Sequence, residues 1–486
     1  MHIAGHAYDV MSAQEVDLIH QGALRILGEM GMEVQNRRLL EVLAGFGLRV
    51  DSENERAYFP PSLVERFIAD SVKYDWEHAQ PRVSGSAGVY HGLYHDPASN
   101  GLVPWTESAL AFYFALARHL PHLDGASMLG CRLPVPALLE PLYERYYCWL
   151  YGAEEGGSIY LGEVCPYLLD LYQVLAGARG VPLEQVFRAS VYLVPPLKLG
   201  RHEAYQVAYF WERGLRVSIG GGMPAMGATA PVTLAGAVTL NLAEQLALSI
   251  LNRALFGDNR FSLHCSISVM DMRTAIRPFG RPEMAIANLM TAQLARHYGA
   301  AFSGHAGLTD AKLPSAEAGA QKMLSGIPTL LVGGSLWVDA GLLSIDEVYS
   351  PIQMVLDDEM LSALKQFTRE FQVSEETIGL GTIFEAGPGG QFLDKPHTAR
   401  HFRSEHWEPG IWSRHMLRPW LDAGRQLDVD RARELALEVQ AEVQQGGLAP
   451  PGMPEGVERE VLGVIERARR ALVGKGKTDY RGGGCV

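Results

Sequence analysis

Three features of the chain predict an α/β fold of the (β/α)8 TIM-barrel type with helical N- and C-terminal extensions. Eight apolar, β-branched or aromatic runs are each followed by a stretch of helical periodicity, at residues 125–130, 158–162, 189–194, 216–220, 261–266, 301–305, 329–333 and 378–385. They recur about every thirty residues, the size of a βα unit. A domain of roughly 250 to 300 residues suits a barrel better than a doubly wound sheet. Residues 1–110 are expected to form a helical extension with a small hairpin near Gly88–Tyr94, 111–425 the barrel, and 426–486 C-terminal helices with a flexible Gly-rich tail.

Taken in order, Ser12 to Glu15 form a capping-box pattern, and Val16, Ile19, Ala23, Ile26 and Leu27 recur at helical spacing until Gly31. Pro60-Pro61 opens a second helix through Leu63, Val64, Phe67 and Ile68. The segment 300–340 reads as a strand, a polar Gly-bearing loop, a helix beginning near Ser315 and a second strand ending at Gly333-Gly334, with Trp337 just beyond it. Such a crossover normally makes its two strands parallel neighbours. Helices from about Asp430 to Gln444 and onward to about Val473 follow an irregular aromatic stretch, with GGLAPPGMPEG between them as a turn.

At 486 residues and 47% hydrophobic the chain can bury a large core. Lys and Arg number 42 against 55 Asp and Glu, a net charge of −13, and no long basic run interrupts the balance. That argues against a nucleic-acid or anionic-membrane partner and for small molecules or other proteins. Five scattered cysteines without a CxxC pair indicate neither a disulfide framework nor a Cys-based zinc site. With no basic n-region and apolar h-region at the N terminus, a cytoplasmic enzyme is expected. The apolar segment 228–256 carries Asn241, Glu244, Gln245, Asn252 and Arg253, so it reads as a buried helix rather than a membrane span.

In a barrel the chemistry gathers at the C-terminal strand ends. Read from those ends, the candidates are Cys131 with Arg132, Glu163, Gly220–Gly222, His264, Ser266, His305, Asp310, Lys312, Trp337, Phe384 and Glu385. His264 and His305 lack the tight spacing of a metal site and read as interior histidines, so no metal is assigned. Glu163 and Glu385 suit acid–base work or a cationic ligand; the plain alternative is ion pairing with Arg132 or Lys312. The Gly-rich loop 220–231, with Gly227 and with Thr229 placed as a helix cap and Pro231 in the first turn, offers N–H groups to an anion; 387–390 poses the same question. Trp337, Phe384, Phe392, Tyr94 and Tyr192 are candidates for an aromatic cage, which holds a quaternary ammonium group by cation–π attraction.

Several segments together resemble the trimethylamine methyltransferase (MttB-type) family: ALRILGEMGMEV near the N terminus, GATAPVTLAGAV at 227–238 and the following AEQLA, DMRTAIRPFGRPE at 271–283, TDAKLPSAEAGAQK at 309–322, DDE at 357–359 and GPGGQFLDKPHT at 387–398. They lie in the family's order from about residue 20 to 440. Ser315, Glu317 and Gln321 depart from the family's run after TDAK, and VPPLKLG at 194–200 departs from its NPxSPL-like stretch. The founding enzymes carry a pyrrolysine that this chain lacks, so the resemblance implies the branch without it, akin to glycine-betaine demethylases.

The resemblance implies a TIM barrel and transfer of a methyl group from a quaternary amine, betaine-like, to Co(I) of a separate corrinoid protein. A quaternary ammonium leaves as a neutral tertiary amine without needing a proton, so positioning in a dry pocket can carry the reaction. The implied roles are Trp337 and Phe384, with Phe392, holding the cation; Glu385 and Glu163 adding negative potential; and His305, Lys312 or the N–H groups of Gly227–Thr229 taking a substrate carboxylate, with Asp310 and His264 nearby. Cobalamin would come with the corrinoid partner, the chain itself holding no cofactor, and a homo-oligomer is compatible. The rival readings are a phosphate-binding or metal-dependent barrel lyase or aldolase using Lys312, and a non-catalytic relative that binds a methylated amine.

Overall fold

The computed structural model describes residues 9–80, 82–90, 92–131, 133–159 and 161–473. Eight parallel strands, each followed by a helix, close into a barrel. They are β1 (Val83–Val89), β2 (Ala126–Met128), β3 (Glu154–Glu155), β4 (Ser190–Tyr192), β5 (Ser218–Gly220), β6 (Ser262–Cys265), β7 (Ala301–His305) and β8 (Ser335–Asp339). Each pairs with the next: β1 with β2 and β2 with β3 by ladders, β3 with β4 through the bridge Ser158–Ser190, and β4 with β5. Short continuations at Ala225–Met226 and Ser268–Val269 join β5 to β6. The pairs β6–β7, β7–β8 and β8–β1 complete the ring, so the barrel itself has no open edge.

The helices α1 (Glu107–His119), α2 (Glu140–Tyr151), α3 (Cys165–Arg179), α4 (Arg201–Trp211), α5 (Leu234–Phe256), α6 (Pro282–Tyr298), α7 (Ala316–Leu331) and α8 (Pro351–Phe367) follow their strands in order. Helix α7 is capped by Ser315, whose hydroxyl accepts the Ala318 N–H. Alternation sets the two faces of each strand. Leu336 and Val338 of β8 are fully buried against Leu330 of α7 and Leu361 and Leu364 of α8, which leaves Ser335, Trp337 and Asp339 facing the lumen. A Cβ on Gly304 would meet the side chain of Asn288 on α6, which likewise sends Ser303 and His305 inward.

Two of the expected strands are helical. Residues 329–331 complete α7, 332–333 form the turn after it, and the last strand follows at Ser335–Asp339. The 378–385 run belongs to the short helices Glu375–Ile378 and Leu380–Ala386, none of whose residues is buried. The missing strand is β1, so the expected hairpin at 88–94 does not form and the barrel starts inside the stretch assigned to the N-terminal extension. Leu93–His95 pairs instead with Val348–Tyr349 and Leu102–Val103. The third strand is shorter and earlier than 158–162, where a bridge and a 3-10 turn stand.

The N-terminal helix Ala13–Arg25 has the capping box in full and packs along α5; a Cβ on Gly22 would lie 2.8 Å from Thr239 Cγ2, so the close approach requires glycine. Helix α5 is the one helix among the described residues long and apolar enough to span a membrane, and most of it is buried within the fold. Its cap is Thr233, not Thr229, and Pro231 precedes it. The pair Asp428–Gln444 and Glu455–Ala468 packs over α8 and α3. The Gly-rich tail beyond 473 lies outside the described residues.

Candidate active site in the barrel lumen

His305 of β7 stands in register with Trp337 of β8, and Trp337 with Ser84 of β1. All three face the lumen. Trp337 is 42% exposed in the middle of a closed barrel, so open space lies beside its ring. One position along the same face, its indole hydrogen-bonds Asp339. Burial pushes the Asp339 carboxyl above its ordinary range, partly offset by Lys322 behind it. Lys322 is fully buried, bonded to Asp357 at 2.6 Å and in reach of the Asp339 carbonyl at 3.4 Å.

Tyr192 on β4 is 50% exposed. Strands four apart in a closed ring of eight occupy opposite walls, which puts this phenol ring across the lumen from Trp337. Gly220, its partner on β5, makes room: a Cβ there would lie 2.6 Å from the Tyr192 ring.

His305 is desolvated, and burial, helped by His264 and Arg277, lowers its pKa to about 3. The imidazole is therefore neutral at pH 7, and its Nδ1 has no hydrogen-bond partner among the described residues. His264 is also held down by burial, with Nδ1 2.8 Å from Ser303 Oγ. Asn241 and Asn288 donate to the carbonyls of His264 and His305 at 3.0 and 3.1 Å, fixing both strand ends from behind.

The loop after β6 closes over this wall. Phe279 meets His305 edge to face at 5.7 Å, and the Arg277 guanidinium lies 5.5 Å from the Phe279 ring. Arg277 donates to the Met223 carbonyl at 3.4 Å, forms no ion pair among the described residues, and has its pKa lowered by desolvation, with Asp346 and Tyr90 acting in the opposite sense. A half-buried cation thus stands beside a neutral histidine, and the indole and carboxylate follow on the neighbouring strand β8.

The structure brings together His305, His264 and Trp337 of the predicted site residues, with Tyr192 across the same lumen. Asp310 is turned to the backbone, accepting the Phe279 and Gly280 N–H groups at 2.6 and 2.9 Å, so it shapes the loop that carries Arg277. Lys312 is exposed and donates to the Asp310 carbonyl at 2.9 Å. The N–H groups of Gly227, Ala228 and Thr229 are taken by the Ala230 and Ala225 carbonyls, and the Thr229 hydroxyl by the Ala225 N–H, so these three N–H groups are not held out to an anion. Glu163 sits exposed on the turn Gly162–Val164. Glu385 pairs with Lys395 at 2.8 Å on an outer helix, rather than with Lys312. Phe384 and Phe392, 77% and 43% exposed, belong to the same outer segment, and Tyr94 is buried against Trp105. These residues sit on helices or in the core because the last barrel strand ends at Asp339. Arg132 lies outside the described residues. Among the described residues no group of three or more His, Cys, Asp or Glu is placed to hold a metal ion.

Asp339 and Arg277 were not singled out by sequence. Asp339 follows Trp337 by two residues, the same-face spacing of a strand, and would have emerged from a correctly placed β8.

The chain matches the profile described as trimethylamine methyltransferase (MTTB) over residues 2–82 and 166–472. It belongs to the trimethylamine methyltransferase (MTTB) family. Trimethylamine methyltransferase MttB of Desulfitobacterium hafniense is 24% identical over 482 residues, covering 96% of this chain and 95% of that protein. Glycine betaine methyltransferase of Desulfitobacterium hafniense strain Y51 is 26% identical over 433 residues, 85% of this chain and 88% of the relative. MttB1 of Methanosarcina mazei is 25% identical over 492 residues, 97% of each chain. The stretch that the MTTB profile leaves unmatched, 83–165, holds β1 to β3, whereas His264, Arg277, His305, Trp337 and Asp339 all fall in the matched part.

Proposed function

We propose that this MTTB-family enzyme transfers a methyl group from a betaine-like quaternary amine to Co(I) of a separate corrinoid protein docked at the barrel mouth. The observation that carries the reading is the Trp337–Asp339 pair facing an open lumen, with Arg277 beside His305 on the neighbouring strand. An indole face with a carboxylate beside it suits a permanently charged nitrogen that has no N–H to donate. Arg277, with neutral His305 offering its unpartnered Nδ1, suits the substrate carboxylate.

In the transfer, the methyl carbon passes in line to cobalt and the C–N bonding pair stays on nitrogen. The leaving tertiary amine is neutral and needs no proton. A neutral His305 and a desolvated wall agree with a site that positions rather than protonates. The enzyme acts as a cytoplasmic protein, with cobalamin brought by its partner.

The test is incubation of the enzyme with a reduced corrinoid protein and a panel of betaines. A methyl-Co(III) spectrum with at least one betaine, together with stoichiometric tertiary amine, is expected. Absence of that spectrum across the panel, with the corrinoid competent toward a chemical methyl donor, would overturn the proposal.

A further inference from the structure

TIM barrels usually fill their centre with layers of bulky branched side chains. Here the lumen-facing positions at six strand starts are small, namely Ser190, Ser218, Ser262, Ala301 and Ser335 with Ser84 beside them, and on β3 the exposed Glu154, in register with Ser127, faces the same lumen. Ser218, Ser262 and Ser335 are exposed, whereas their outward-facing neighbours Ile219, Leu263 and Leu336 are buried. Above them, Tyr192 and Trp337 keep half and 42% of their surface open. The chain segment at the base of the barrel fastens along the rim rather than across it. Its Val72 N–H bonds the Asn259 carbonyl, its Tyr74 N–H the Gly299 carbonyl, and Trp76 Nε1 the Ala300 carbonyl.

From these placements we infer that the barrel is a hydroxyl-lined bore open at its N-terminal end, through which small polar solutes reach the Trp337 level from the face opposite the mouth. In the proposed reaction a protein covers the mouth, and the bore lets the tertiary amine product leave and a fresh quaternary amine enter beneath it. Only this naming of the solutes rests on the proposed function; the bore itself rests on the lining.

Substituted cysteines test it in the full-length chain carrying Cys485→Ser. The probe is 2-(trimethylammonium)ethyl methanethiosulfonate, a reagent with a quaternary ammonium head. Ser335→Cys should react within about tenfold of the exposed turn position Ser52→Cys, while native Cys265, which faces the helices, stays unmodified. Adding Ser262→Trp should slow Ser335→Cys by about tenfold or more and leave Trp337→Cys, reached from the mouth, unchanged. Inert Ser335→Cys, or reactivity indifferent to Ser262→Trp, overturns the bore. Binding of glycine betaine to the chain with Trp337 intact is a separate readout: its absence counts against the betaine reading and leaves the bore standing.

Discussion

His305 and Trp337 face each other across adjacent parallel strands, in register and both toward the lumen, one neutral and unpartnered at Nδ1, the other half open to solvent. On the proposed reading, Trp337 is the ring that meets the cationic head. Trp337→Leu should weaken binding of a quaternary amine by about fivefold to thirtyfold, matching roughly 1 to 2 kcal/mol for a desolvated cation–π contact, with Trp337→Phe intermediate. Equilibrium titration of the two variants checks it, and because 42% of Trp337 is open the melting temperature should move less than for a core tryptophan.

Asp339 gives the site its pH dependence. Burial raises its pKa, so as pH falls toward that value the carboxylate gains a proton and loses its attraction for the ligand. Binding should weaken on acidification, and Asp339→Asn should bind weakly at every pH with the slope removed. A dissociation constant measured across pH separates the two cases.

Arg277 should decide between substrates with and without a carboxylate. Arg277→Met is expected to cost a betaine about tenfold to a hundredfold in kcat/KM, the range of a charge-assisted hydrogen bond lost. A quaternary amine that lacks the carboxylate should be affected far less, and competition assays with such a pair measure the ratio.

His305 should mark itself in stability. Its folded pKa, about 3, lies below the unfolded value near 6.5. The unfolded chain therefore takes up a proton as pH falls below about 6.5 while the folded chain does not, so stability declines from there toward pH 3. His305→Gln should show a shallower loss of melting temperature between pH 7 and 5 than the wild type.

Glu385 and Phe384 provide the negative control. The first is 63% exposed and paired with Lys395, the second stands on a helix with no buried residue. Glu385→Gln and Phe384→Ala should each stay within about 0.5 kcal/mol of wild-type stability and leave methyl transfer unchanged.

The misplaced strands show what the sequence could convey. Ala301–His305 alternates small or polar lumen positions with Phe302 and Gly304, and it was legible as a strand ending in a polar loop. Thr329–Val332 looked the same from composition, yet Ser315 starts a helix that continues through Pro328 to Leu331, and an apolar run cannot tell a buried helix end from a strand. That shift of six residues hid Asp339. Val83–Val89 went unseen for the opposite reason: a polar lumen gives β1 the small-residue sequence VSGSAGV, which lacks the bulk expected of a barrel strand. With one strand missed, the 378–385 run was needed to reach eight, and it carried Phe384 and Glu385 into the predicted site. Arg277 sits in a loop, where no periodicity reports which side chains turn inward.

The most direct measurement is calorimetric titration of the purified chain with glycine betaine and related betaines at pH 8, without any corrinoid protein. Saturable binding of at least one betaine to a single site, lost in Trp337→Leu and weakened in Arg277→Met, is the predicted result. Betaine binding that survives in both variants, or no binding of any betaine to a folded chain, would contradict the placement of the substrate between these two residues.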